Sequence, residues 1–142
     1  MPTASPLEIP HELAGWEEYT EDNQFMQHIG PLWQRFVDGK PEYAFRVSKT
    51  QSSLLGVLHG GMICAYADHA LGHVVFHLNG KKPVVTIHLD VNFISPARPG
   101  DVVRCRSEVV RKTRSLCFMR GTIMAKERCV ATANGVFKTM DR

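Results

Sequence analysis

A chain of 142 residues with 44% hydrophobic content is long enough to bury one sizeable core and reads as a single domain. Its 17 basic and 14 acidic residues leave a net charge of +3, which gives little support to coating a nucleic acid and leaves room for a small basic patch facing a phosphorylated ligand. Met1–Ala14 has neither a basic n-region nor an apolar h-region, and no window reaches the roughly 18 apolar residues of a membrane span, so no membrane association is expected and the expected compartment is the cytoplasm.

Met1 to Glu21 holds three prolines among scattered polar residues and is expected to be an extended lead-in. In the next stretch Phe25, Met26, Ile29, Leu32, Trp33 and Phe36 recur at spacings of three and four. That spacing predicts a helix over residues 22–38, bent or split at Gly30-Pro31, which opens a single domain spanning 22–142. Tyr43–Val47 alternates and predicts a strand; Thr50–Gly56 predicts a polar loop. The apolar run that follows predicts one long helix over Gly61–Leu78, closed by Asn79-Gly80 and Pro83.

From there the period changes to two. Pro83–Ile94 predicts a strand with Val85, Ile87, Leu89, Val91 and Phe93 on one face, and Pro96–Asp101 a turn. Val102–Val110 predicts the next strand, Arg111–Arg114 a basic turn, Ser115–Ala125 a strand, Lys126–Arg128 a hairpin turn and Cys129–Lys138 the last strand. Hairpin-linked strands with one long apolar helix predict an α+β fold, an antiparallel sheet wrapped around that helix.

The chemistry-bearing stretch is Leu58-His59-Gly60-Gly61, with Asp68 seven residues after the second glycine. A helix start offers unpaired N–H groups and the positive end of the helix dipole. Two glycines let a ligand approach those groups, as an oxyanion hole or anion site requires. Asp68 adds a potential base or nucleophile on the same element. His59 joins this site as a ligand-polarising or, since the backbone amide beside it can do the polarising, a loop-fixing residue. The plainer alternatives are a tight loop for Gly60 and Gly61, a structural carboxylate for Asp68 and a ring that simply caps the loop for His59. His69, His73 and His77 recur every four residues and share one helix face. With no further ligand placed by sequence, that face reads as solvated or interfacial, pointing away from Asp68, and no metal is expected. Cys64, Cys105, Cys117 and Cys129 read as small buried hydrophobes in a reducing compartment. Arg111, Lys112 and Arg114, with Arg98, form either a solvated turn or a grip for phosphates.

Gly56-Val57-Leu58-His59-Gly60-Gly61, Asp68, Thr86 and Asn92-Phe93-Ile94-Ser95-Pro96-Ala97 together resemble the hotdog-fold acyl-CoA thioesterases, nearest the phenylacetic-acid-degradation branch. The likeness spans Tyr43 to Met140. It implies that the Gly60 N–H polarises the thioester carbonyl and that Asp68 is nucleophile or general base. It further implies that Thr86 helps to place water, that Gly61 lies against the substrate, and that no cofactor is needed. Some members carry an asparagine where this chain has Ser53, a shorter hydrogen-bonding group, so either Gln51 takes that role or the polarisation is weaker. Geometry adds one constraint. Gly61 and Asp68 lie roughly 10 Å apart along a helix, too far to reach one carbonyl from a single chain. Two chains related by a two-fold axis bring Gly60 of one to Asp68 of the other, and the resemblance implies such dimers, often paired as tetramers. The expected function is hydrolysis of a small or medium acyl- or aryl-CoA thioester. The alternative is a non-catalytic acyl-CoA-binding or ligand-sensing module.

Overall fold

The computed structural model describes residues 8–21 and 24–141. Its strands are β1 (Glu17–Glu18), β2 (Trp33–Val37), β3 (Lys40–Arg46), β4 (Val84–Phe93), β5 (Val102–Lys112), β6 (Leu116–Ala125) and β7 (Arg128–Thr139). They form one antiparallel sheet in the order β1-β2-β3-β5-β6-β7-β4. Helix α1 (Phe25–Ile29) is short, and α2 (Gly60–Leu78) is the long one. This is the α+β arrangement of a sheet wrapped around one long helix that the residue pattern anticipates, and it matches the hotdog fold that the resemblance implies. Among the described residues no helix is long and apolar enough to cross a membrane.

Helix α2 is apolar around much of its girth because the sheet curls about it. Met62, Ile63, Tyr66, Ala67, Ala70, Leu71, Val74 and Val75 are all buried, packed in one cluster with Phe45, Val103, Met119, Ile123, Val130 and Phe137. Burying each large apolar side chain contributes about 1.5–3 kcal/mol. Gly121 sets how close helix and sheet come. A Cβ there would lie 3.1 Å from Leu71 Cδ2 and 3.2 Å from Cys105 Sγ. Tyr66 fixes the helix against β3 by donating its hydroxyl to the Tyr43 carbonyl at 2.5 Å.

Three expectations need correction. The helix foreseen over 22–38 shrinks to α1, and its second half is strand β2; Asp22 and Asn23 lie outside the described residues. The apolar spacing there also satisfies a strand: Trp33 is buried against the lead-in while Phe36 and Val37 are exposed. The lead-in itself is docked where it is described. Leu13, Trp16 and Tyr19 are buried, β1 pairs with β2, and Arg35 lies 4.5 Å over the Trp16 ring. Residues 1–7 lie outside the described residues. Finally, β4 does not keep one apolar face. A bulge between Thr86 and His88 makes Ile87 the extra residue. Val84, Leu89 and Val91 pack on the core, and Val85 and Ile87 are exposed.

Candidate active site

The start of α2 is built by its own loop. His59 is the N-cap, with extended backbone (φ −64°, ψ 134°), and its Nδ1 accepts the Gly61 N–H at 2.8 Å. The His59 carbonyl accepts from Met62 and Ile63 at 3.0 and 3.1 Å. The Gly61 donor expected to face substrate is therefore engaged by His59, and a Cβ on Gly61 would lie 3.0 Å from that ring nitrogen. Gly60 N–H, the first of the helix, has no preceding turn to accept it. A Cβ on Gly60 would lie 3.3 Å from the Phe93 ring. A side chain at either position would press on a ring of the same chain, which would have to give by a few tenths of an ångström.

Two turns further along α2, half-buried Asp68 meets β4: Thr86 Oγ1 donates to Asp68 Oδ1 at 2.6 Å. The bulge that follows leaves Thr86 on the helix side of the strand. The pair lines a cavity of about 460 Å³ whose walls include Phe25, Met26, Gly72, Phe76 and Phe137. A hydrogen-bonded carboxylate with one free oxygen in an apolar cavity can attack an acyl carbon or take a proton from water. Gly60, eight residues earlier, is roughly 12 Å away along the axis and borders a different cavity, with Ile63, Phe93 and Ile94.

The structure separates several residues that the sequence had grouped. Ser53 Oγ accepts the Leu55 N–H at 3.2 Å, and the Ser53 N–H donates to the Val57 carbonyl at 2.8 Å. Ser53 builds a turn and lines none of the cavities along α2. Gln51 takes a positioning place instead. Buried, it donates Nε2 to the Ile29 carbonyl at 2.6 Å, accepts the Ser48 N–H at 3.0 Å, and its own carbonyl accepts the His59 N–H at 2.9 Å. It ties the end of α1 to the His59 loop. The pattern Ser48-x-x-Gln51 was legible as a capping box. Among the basic residues, Arg111 and Lys112 belong to β5, and the turn proper is Thr113–Ser115. Arg98 sits in the turn at the other end of β5, roughly 30 Å away, where its N–H donates to Asp101 Oδ2. Within one chain it does not join Arg111, Lys112 and Arg114.

The histidine stripe is neither solvated nor turned from Asp68. His69 is buried, with ring centroids 4.9 Å from Tyr19, 4.6 Å from Tyr43 and 3.9 Å from His73. Tyr43 Oη and His73 Nδ1 are 3.1 Å apart, and His77 lies edge-on to Phe36. Burial, and then the neighbouring His73, hold the His69 pKa down to about 3. The docked lead-in and β2 supply this cover, and His69 and His73 line the Asp68 cavity. The cavity also uses Phe25, Met26, Phe76 and Pro83, which the sequence marked only as apolar or turn residues.

Comparison with known proteins bears on the family and the fold. The model of the thioesterase superfamily matches residues 55–131, more than half of the chain. A Pseudomonas aeruginosa protein named as an esterase is 28% identical over 126 residues, 87% of this chain and 93% of its own length. Two solved structures are also similar. One is a phenylacetic acid degradation-related thioesterase from Ralstonia eutropha JMP134, 26% identical, TM-score 0.69, covering 76% of this chain and 84% of that one. The other is a thioesterase protein from Streptococcus pneumoniae TIGR4 solved with coenzyme A, 25% identical, TM-score 0.69, covering 76% and 86%.

Proposed function

The chain belongs to the thioesterase superfamily, and from that premise we propose that it hydrolyses an acyl-CoA thioester to a free acid and coenzyme A, with Asp68 as the reacting carboxylate. The observation that carries this reading is the Asp68–Thr86 pair, 2.6 Å apart in an apolar cavity. The Thr86 hydroxyl occupies one oxygen and orients the other. The thioester carbonyl oxygen accepts from Gly60 N–H at the positive end of α2, where negative charge develops in the transition state. Asp68 of the partner subunit then attacks the carbonyl carbon, or draws a proton from the water that attacks it, and the thiolate of coenzyme A leaves; in the first case water then hydrolyses the acyl-aspartyl anhydride, releasing the free acid and restoring the carboxylate. His59 contributes by holding the helix start.

The unbroken helix between Gly60 and Asp68 supports a site shared by two chains, two sites per dimer; pairing of dimers as tetramers rests on the family resemblance alone. The exposed apolar residues of edge strand β4, Val85, Ile87 and Phe93, suit such pairing. Arg111, Lys112 and Arg114 would attract the phosphates of coenzyme A, and a partner's Arg98 enters from the Gly60 side. Free cysteines at 64, 105, 117 and 129 support a reducing, cytoplasmic compartment. The test is release of free thiol from a panel of acyl- and aryl-CoAs. Turnover on at least one member is expected; tight binding of the panel with no thiol release would make the protein a binding module.

A further inference from the structure

Two cavities lie end to end along α2. One, about 460 Å³, holds Asp68 and Thr86. The other, about 250 Å³, is lined by Ile29, Gln51, His59, Gly61 and Met62 with their neighbours. Phe25 and Ala65 line both, so the cavities adjoin at that pair, the neck between them. Asp68 sits near the middle of this groove, since Gly61 is roughly 10 Å away toward the helix start and Phe76 roughly 12 Å toward its end.

The two ends of the groove differ in the number of basic residues that flank them. At the Phe76 end, the Lys81 N–H donates to the Phe76 carbonyl at 2.9 Å, and Lys82 precedes the lining residue Pro83. Both lysines are exposed. Lys81 sits in the left-handed region at φ 63°, a conformation that disfavours a residue with a Cβ. Asn79 Nδ2 donates to Thr139 Oγ1 at 2.6 Å and Thr139 N–H to the Ser115 carbonyl at 2.8 Å, so the exposed Arg114 stands at the same end. Neither cavity has a lysine or arginine in its own lining; beside the linings stand Lys81, Lys82 and Arg114 at the Phe76 end, and Lys49, next to the lining residue Thr50, at the His59 end. The polar groups of the His59 end are largely engaged with one another: Ser52 Oγ donates to the Ser48 carbonyl, and both ends of the Gln51 amide are bonded. Phe25, Ile29, Met62 and Ala65 make that chamber apolar at the neck.

We infer that the substrate lies along α2 with its phosphates at Lys81, Lys82 and Arg114 and its acyl group running from Asp68 through the Phe25–Ala65 neck toward Met62. The acyl class that uses such a groove is an extended aliphatic chain. A short acyl group would fill only the first chamber. This orientation rests on the proposed thioesterase activity and fixes which end of the thioester enters which chamber.

The experiment is the ratio of kcat/KM for decanoyl-CoA to that for acetyl-CoA. The wild type is expected to favour decanoyl-CoA. Ala65→Phe, which fills the neck, is expected to lower the ratio by about tenfold or more, since each methylene lost from an apolar pocket costs discrimination of that order. Phe25→Ser tests the same neck from an exposed position, where folding is not at stake, and is expected to lower the ratio in the same direction. It decides the matter if Ala65→Phe does not fold by circular dichroism. The double change Lys81→Ala with Lys82→Ala should raise KM for decanoyl-CoA and spare decanoyl-pantetheine, which lacks the nucleotide. A ratio unmoved by the neck variants, a wild type that prefers acetyl-CoA, or equal losses on both thioesters in the lysine variant would each overturn the orientation. Absence of thiol release from every substrate would instead overturn the thioesterase reading itself.

Discussion

Thr86 Oγ1 donates to Asp68 Oδ1 at 2.6 Å, joining β4 to α2 beside an apolar cavity. The bond leaves the second carboxylate oxygen to do chemistry. Asp68→Asn keeps the shape and removes the charge and the basicity. It should lower kcat by about 100-fold or more, the range expected for loss of a positioned base, with an unchanged circular dichroism spectrum. Thr86→Val should cost less, because the carboxylate remains while its orientation is lost. A full-rate Asp68→Asn enzyme would remove Asp68 from the mechanism.

A shared site can be tested by mixing two inactive chains. Gly60→Pro removes the donor N–H at the first helical position, where proline suits the backbone; its Cβ would lie 3.3 Å from the Phe93 ring, which has to give by a few tenths of an ångström, so the fold of the variant is checked by circular dichroism. His59 already has the extended backbone that a following proline demands. A homodimer of either Gly60→Pro or Asp68→Asn has no intact site. A mixed dimer has one, made of Gly60 from the Asp68→Asn chain and Asp68 from the Gly60→Pro chain. Co-refolding the two variants should therefore restore activity that neither shows alone. No recovery, in mixtures shown by mass spectrometry to contain heterodimers, would place both groups in one chain.

The basic residues of β5 and its turn should act on binding. Lys112 pairs through Cys117 and Phe137 to the level of Thr86, roughly 14 Å across three strand spacings. Replacing Arg111 and Arg114 by alanine should raise KM for an acyl-CoA several-fold at low salt, with the difference shrinking as salt rises. Turnover should change less. A thioester without the nucleotide should not distinguish the variant from the wild type. If both substrates behave alike in both proteins, these arginines are a solvated strand end.

The sequence made the long helix, the four last strands and the Gly60–Asp68 spacing legible because each rests on local signals: period, turn residues and a helix start. What escaped was decided by tertiary partners. Apolar residues from Leu32 to Phe36 satisfy both a helical stripe and a strand, and only the pairing of β2 with β1 and β3 selects the strand. Ile87 reads as one more alternating residue until the ladder with β7 makes it a bulge. Ser53 and Gln51 are both polar residues in one loop, and their division into turn and latch depends on the Ile29 carbonyl, 22 residues from Gln51. The histidine stripe looked solvated because nothing local says that Tyr19 and Phe36 will cover it.

That cover makes stability depend on pH. His69 has a folded pKa near 3, lowered first by burial and then by His73, against about 6.5 in the unfolded chain. The unfolded state therefore takes up a proton below pH 6.5 while the folded state takes none until pH approaches 3. In that window stability falls as pH falls, by up to about 1.4 kcal/mol per pH unit from this one group. Above pH 6.5 His69 is neutral in both states and the dependence vanishes. His77 is also held down by burial and adds in the same direction. Around His69 stand Tyr19, Tyr43 and His73, and Asp68, which lines the same cavity, has its carboxylate bonded to Thr86. His69→Phe keeps an aromatic ring against the two tyrosines and abolishes the titration. Urea midpoints at pH 7 and pH 4.5 should lie far apart for the wild type and closer together for His69→Phe. Equal spacing in the two proteins would mean that His69 is not buried in its neutral form.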